Sequence, residues 1–256
     1  MSSQFTSGLD VAQVVLYVFW GFFFGLVFWL RKEDRREGYP LENDNPRRVL
    51  APNSILLPSP KTFRLPHGGT VTAPNYERDT REIRAERTAA SAGSTLEPTG
   101  DPMTSGVGPA SFAQRADAPE LTREGHDLIV PMRLADGFAV MAGPDPRGWS
   151  VVATDGKAAG KVKEIWVDRA DVMVRYLEVE LAEGEATGSR LLPITMLRLE
   201  SDRKTVQVAS IRAEHFASVP SLKDPDRVTV LEEEMICAFY AGGRRYAEPK
   251  RLGPVV

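Results

Sequence analysis

The chain has 256 residues, 42% of them hydrophobic and 26% charged, with a formal net charge of −3 at pH 7. That balance lacks the surplus of lysine and arginine that phosphate neutralisation requires, which excludes nucleic acid as a partner. The single cysteine, Cys237, excludes an internal disulfide, and the three histidines, His67, His126 and His215, lack the spacing of a zinc site.

Residues Val11 to Leu30 read VAQVVLYVFWGFFFGLVFWL, a stretch without a charge that holds eight of the 21 aromatic residues. At about 1.5 Å per residue it spans the roughly 30 Å hydrocarbon core, so a transmembrane helix is predicted over 11–30. A signal peptide would carry a positive leading region and a small-residue cleavage site, whereas Asp10 is the only charge in the leading ten residues. Arg31, Lys32, Arg35 and Arg36 follow at once, and this bias puts the N-terminus outside and the remainder in the cytoplasm. Gly21 and Gly25 form a G-x-x-x-G step, which admits a second helix or is simply tolerated in a lipid-facing anchor.

From Pro40 to Pro146 lie 14 of the 19 prolines, with no long helical or alternating run. Such a stretch is either a disordered tether or an extended segment held against another surface. The apolar clusters Ile55-Leu56-Leu57, Phe63-Arg64-Leu65 and Val71-Thr72-Ala73 favour the second, as short strands and docking points. Gly68-Gly69 reads as a turn, and the mixed charges of Glu77 to Arg87 read as a solvated loop or short helix.

Beyond Ile129 the pattern becomes β-rich. Strands are expected at Trp149 to Ala153, Lys161 to Val167, Met173 to Leu181, Arg190 to Leu192, Met196 to Leu199 and Thr205 to Val208, with turns at Asp155-Gly156, Glu183-Gly184 and Ser201-Asp202. Short strands at this spacing favour a small antiparallel barrel or sandwich. A capping box at Thr229-x-x-Glu232 opens one helix bearing Leu231, Met235, Ile236, Phe239 and Tyr240, with Gly242-Gly243 placed to close it. No nucleophile elbow, phosphate loop or metal motif is present. What remains is a supply of carboxylates: Glu120 and Glu124 around His126, and Asp168 and Asp171 after Trp166. Such groups pass protons when partly buried, because desolvation raises a carboxyl's pKa; the alternative is a solvated acidic loop.

Particular strings resemble the H-subunit family of purple-bacterial photosynthetic reaction centres. They are Arg36-Glu37-Gly38-Tyr39-Pro40-Leu41-Glu42, Pro60-Lys61-Thr62-Phe63, Leu65-Pro66-His67-Gly68-Gly69, Pro98-Thr99-Gly100-Asp101-Pro102-Met103 and Gly106-Val107-Gly108-Pro109-Ala110-Ser111. Ile165-Trp166-Val167-Asp168, Tyr176-Leu177-Glu178-Val179, Leu192-Pro193 and Tyr240-Ala241-Gly242-Gly243 continue the match in order.

The resemblance implies a single N-terminal transmembrane α-helix and a mainly-β cytoplasmic domain of the PRC-barrel type with one C-terminal helix. Its parts would be a periplasmic tail (1–10), the membrane helix (11–30), an extended segment on the cytoplasmic face of the L and M subunits (31–110) and the cytoplasmic domain (111–256). It implies a non-catalytic subunit of the inner, intracytoplasmic membrane that binds no cofactor directly. Bacteriochlorophyll, bacteriopheophytin, quinones and non-haem iron would sit on L and M, with a light-harvesting antenna, a cytochrome subunit and membrane lipids as further neighbours.

The resemblance also implies stabilisation of L and M, a cap over the secondary-quinone site and a proton relay through that cap. The matching relay positions are Asp168 and Asp171, the second being a glutamate in some relatives. The entry cluster, two histidines and an aspartate in some relatives, maps onto Pro119 to His126, which offers Glu124 and His126. Arg175 would hold one of the acids ionised or form an ordinary ion pair. The rival from another class is a membrane-tethered PRC-barrel adaptor that recruits a soluble partner.

Overall fold

The computed structural model describes residues 10–39, 55–75, 81–91, 93–181 and 188–252. The chain divides into two compact units, Met1–Asp79 and Thr80–Val256.

In the first unit, helix α1 (Val11–Glu33) opens on Asp10, whose carboxylate accepts a hydrogen bond from the Ala12 amide, and ends with Arg31 and Lys32 beside its carbonyl end. No residue of α1 is buried, and its mean composition is apolar all round. A helix of that kind is stable where hydrocarbon replaces water. Gln13, the amide side chain inside the span, donates to Tyr17 Oη at 2.8 Å one turn along the same helix. Phe19, Trp20, Phe23 and Phe24 stack along one side with centroids 5.6–6.1 Å apart.

After α1, strands β1 (Lys61–Arg64) and β2 (Thr70–Ala73) form an antiparallel hairpin. Gly68 and Gly69 both adopt positive φ in its turn, a conformation open to glycine without cost. Arg36 ties the hairpin to the end of α1: it donates to Glu33 Oε2 at 2.7 Å, Ser59 O at 2.9 Å and Ala73 O at 2.6 Å, and lies over the Phe63 ring. The expected clusters at Phe63 and Val71 are therefore strands, and Ile55 to Leu57 is a turn. Phe63, Leu65 and Val71 stay exposed within this unit.

The second unit starts with a ribbon of β3 (Ala85–Arg87) and β4 (Leu96–Pro98), so the end of the mixed-charge run is extended rather than helical. Its centre is a seven-stranded sheet of β5 (Ile129–Pro131), β6 (Ser150–Val152), β7 (Ala158–Asp168), β8 (Met173–Leu181), β9 (Ser189–Pro193), β10 (Leu197–Glu200) and β11 (Thr205–Val208). The order is β10-β11-β6-β7-β8-β9, with β5 also on β7. Neighbours are antiparallel except β6 and β11, which run parallel because the intervening chain returns from the far side of the sheet. β7 is long enough to pair β6 near its start and β5 with its last three residues, and its register with β8 shifts between Val162 and Glu164 and again between Trp166 and Val167.

Helix α2 (Val230–Tyr246) closes this core. Its capping box is formed: Thr229 Oγ1 accepts from the Glu232 amide at 3.1 Å, and Glu232 Oε2 accepts from the Thr229 amide at 2.9 Å. The helix does not stop at Gly242-Gly243 but runs through both to Tyr246. The glycines serve close approach instead. A Cβ on Gly243 would lie 2.3 Å from Ile211 Cγ2, and one on Gly242 would lie 2.9 Å from Ala110 Cβ. Beyond the helix, Arg251 donates to the carbonyls of Gly243 and Arg244 in its last turn, together with Ser210 O, Ala209 O and Thr154 Oγ1. Trp166, Leu192, Phe216, Ile236 and Tyr240 form the sealed centre of this unit. The N-terminal tail to Leu9, the string from Pro40 to Ser54 and the turn expected at Glu183-Gly184 lie outside the described residues.

Candidate functional site

Asp168 ends β7 and is 4% exposed. Its Oδ1 accepts from the amides of Ala170 at 2.9 Å and Asp171 at 3.0 Å, so the buried carboxylate builds the turn into β8. Asp171 sits exposed on that turn, followed by Val172 at φ 52°, a conformation a β-branched residue rarely adopts. Within this unit Asp171 is the outward acid and Asp168 the inward one.

Glu124 and His126 lie exposed on a tight loop closed by Thr122 N–H to His126 O at 2.7 Å. The loop continues into β5, whose Ile129 pairs with Asp168, and the Arg169 amide donates to Leu128 O at 3.0 Å. The loop and the acidic turn are thus joined by backbone, not by contact between His126 and either aspartate. Asp127 is the loop's anchored acid, accepting both Nε and Nη2 of Arg227 at 2.8 and 3.0 Å. Arg175 is half-buried on β8 and makes no ion pair within 4 Å with Asp168 or Asp171 among the described residues. Its charge acts on α2 instead, on Glu233 and Cys237.

Those α2 residues complete a cluster absent from the sequence reading. Tyr176 on β8, 3% exposed, donates its hydroxyl to Glu233 Oε2 at 2.6 Å and has Cys237 Sγ at 3.9 Å. Burial pushes the Glu233 carboxyl up from its ordinary value; the Tyr176 hydrogen bond and Arg175 oppose this, while the negative charges of Glu120 and Asp168 add to it. Burial likewise raises the Cys237 thiol, and burial together with Cys237 and Glu233 raises the Tyr176 phenol. Glu233 therefore has more hold on a proton than an exposed glutamate, and it is electrostatically linked to Asp168. The signal was in the helix period: Glu233 shares a stripe with Ile236, Cys237 and Tyr240, an acid where apolar residues recur.

A second acid on β8 behaves oppositely. Glu178 accepts from Lys163 Nζ at 2.8 Å, Ser189 Oγ at 2.6 Å and Trp166 Nε1 at 3.3 Å. Burial alone would raise its carboxyl, but these three donors more than reverse that and hold it below the ordinary value. No group of three or more histidine, cysteine, aspartate or glutamate side chains that could hold a metal ion occurs among the described residues.

The sheet defines the class: residues 139–215, which carry β6 to β11, match the PRC-barrel domain family. Residues 3–134, just over half of the chain, match the family described as photosynthetic reaction centre, H-chain N-terminal region. The chain belongs to the H-chain family of photosynthetic reaction centres. It is a reaction-centre subunit associated with the other subunits of that complex, and with α1 it is a membrane protein.

Proposed function

We propose that this subunit stabilises the L and M subunits, caps their secondary-quinone site from the cytoplasm and delivers protons to it through Asp171, Asp168 and Glu233, with Glu124 and His126 at the entry. On this reading the pigments, quinones and iron are held by L and M, the tail before α1 is periplasmic, and the sheet domain is cytoplasmic. The observation that carries it is the Glu233 seat: a half-buried carboxyl with a raised proton affinity, hydrogen-bonded to Tyr176 and coupled to Asp168. Two-electron reduction of a quinone requires two protons, and a cap that excludes water must supply them by side chains. A carboxyl whose pKa is shifted upward gives and retakes a proton at modest cost, which is what a relay needs. Asp171, on the exposed turn, offers the outward step; Asp168, whose Oδ1 accepts the Asp171 amide, the inward one. Arg175 tunes Glu233 by its charge rather than by a paired contact.

The exposed apolar side chains of α1 and the hairpin support the stabilising role, since apolar faces of this extent are covered in a working assembly. The test is flash kinetics on assembled reaction centres. Asp171→Asn is expected to slow proton-coupled second reduction of the quinone while leaving primary charge separation at its native rate. Native rates for both steps would remove Asp171 from the relay.

A further inference from the structure

Arg190 occupies an unusual place for a cation. In the β8–β9 register it stands opposite Val179, which is fully buried, and it shares a strand face with Leu192, also fully buried. A guanidinium there begins on the core side of the sheet. Of its five N–H groups, one on Nη1 donates to Ser189 O at 2.9 Å and one on Nη2 to Ala217 O at 3.3 Å. Nε is sealed from solvent without a partner. Among the described residues no carboxylate lies within ion-pair distance of it.

Other arginines of the same unit are matched: Arg133 with Asp226, Arg147 with Asp145, Arg227 with Asp127, and Arg212, whose Nε is also sealed, with Glu214 at 3.3 Å. Arg169 and Arg251 also bond only neutral oxygens, two of those of Arg251, Gly243 O and Arg244 O, belonging to the negative, carbonyl end of α2, but neither has its Nε sealed without a partner as Arg190 does. The guanidinium thus has a sealed Nε without a partner and, among the described residues, no carboxylate to balance its charge.

The space for one is present. A cavity of about 240 Å³ is lined by Ser189, Arg190, Leu191, Ser221, Leu222 and Pro225. It falls below the roughly 300–1,000 Å³ of ordinary small-molecule sites, yet holds several times the ~30 Å³ of a water. Ser189 gives its hydroxyl proton to Glu178, so it is not a donor here, whereas Ser221 is exposed at the rim. Among the described residues, Arg190 is the one charged residue of the lining.

We propose that this cavity binds a small oxyanion of phosphate or sulfate size, held by the Arg190 guanidinium with the Ser221 hydroxyl at the mouth. The planar fork of arginine fits two oxygens of such an ion at once. The same chemistry could be presented by a free ion or by a lipid phosphoryl group, and the cavity volume favours the free ion.

The test uses the full chain in detergent, titrated calorimetrically with inorganic phosphate at ionic strength held constant with chloride. One saturable site is expected, weakened about tenfold or more in Arg190→Gln. Because Arg190 is half-buried, Ser221→Asp provides a second route: this exposed substitution puts a carboxylate at the mouth and is expected to exclude phosphate, while Ser221→Asn retains it. In a second arm, dihexanoyl phosphatidic acid below its micellar concentration competes with phosphate. Failure to displace phosphate assigns a free-ion site, and displacement assigns the headgroup as source of the same chemistry. Absence of saturable phosphate binding, or equal binding in wild type, Arg190→Gln and Ser221→Asp, would overturn the proposal.

Discussion

Tyr176 and Glu178 stand two residues apart on β8 and project from the same side of the strand, yet the carboxylates met there are held in opposite states. At Glu178 three donors converge, one of them cationic, and the acid is kept ionised despite burial. At Glu233 one neutral hydroxyl donates, two further acids press on the group, and burial wins. Burial by itself therefore does not decide the charge of an acid in this fold. The number and charge of the donors do, and they separate a structural carboxylate from one suited to carry a proton.

The largest effect that would break this contrast is expected at the structural seat. Glu178→Ala leaves the Trp166 indole N–H and the Ser189 hydroxyl without their acceptor and should cost about 3 kcal/mol. That corresponds to a thermal midpoint lower by roughly 6–12 °C for a domain of this size in detergent. Next, Tyr176→Phe removes the single donor to Glu233. It should cost about 1 kcal/mol at pH 8, where the carboxylate is ionised more often, and less at pH 5; midpoints measured at both pH values check this.

Smaller still is Glu233→Gln, whose value lies in its sign. The folded chain binds the Glu233 proton more tightly than the unfolded chain, so that contribution is complete below the ordinary glutamate value of 4.5 and declines as pH rises through the folded value. A glutamine keeps the neutral form throughout, so the variant should match wild type at pH 4 and gain slightly on it at pH 8. Glu178 has the reverse linkage: its contribution is present above the ordinary carboxylate range and is lost as pH falls through its lowered folded value. Smallest of all, His126→Ala on its exposed loop should leave stability within about 0.5 kcal/mol by thermal melting, so a slower proton uptake in that variant would report entry rather than folding.

Much of this architecture was legible from pattern. The charge-free run from Val11 gives α1, the alternation of Leu177 to Leu181 gives β8, and Thr229 with Glu232 gives the start of α2. β5 was not legible, because three residues ending in Pro131 carry too little period to register as a strand. The glycine pair was misread because Gly242 and Gly243 look the same in sequence whether they end a helix or let it touch Ala110 and Ile211. Asp168 and Asp171 stood out through resemblance, and the structure adds that one is inward and the other outward. Glu233 went unread because its partner, Tyr176, lies 57 residues away, and only the fold brings the hydroxyl to the acid. Arg190 has the same character: its oddity is a register position opposite Val179, which no local pattern reveals.

The contrast between the two acids reaches its most direct test in flash-induced proton uptake, followed with a pH-indicator dye in assembled reaction centres carrying Glu233→Gln or Glu178→Gln. Uptake on the second flash should be several-fold slower with Glu233→Gln and native with Glu178→Gln. Native uptake in the Glu233 variant, or equal slowing in both, would contradict it.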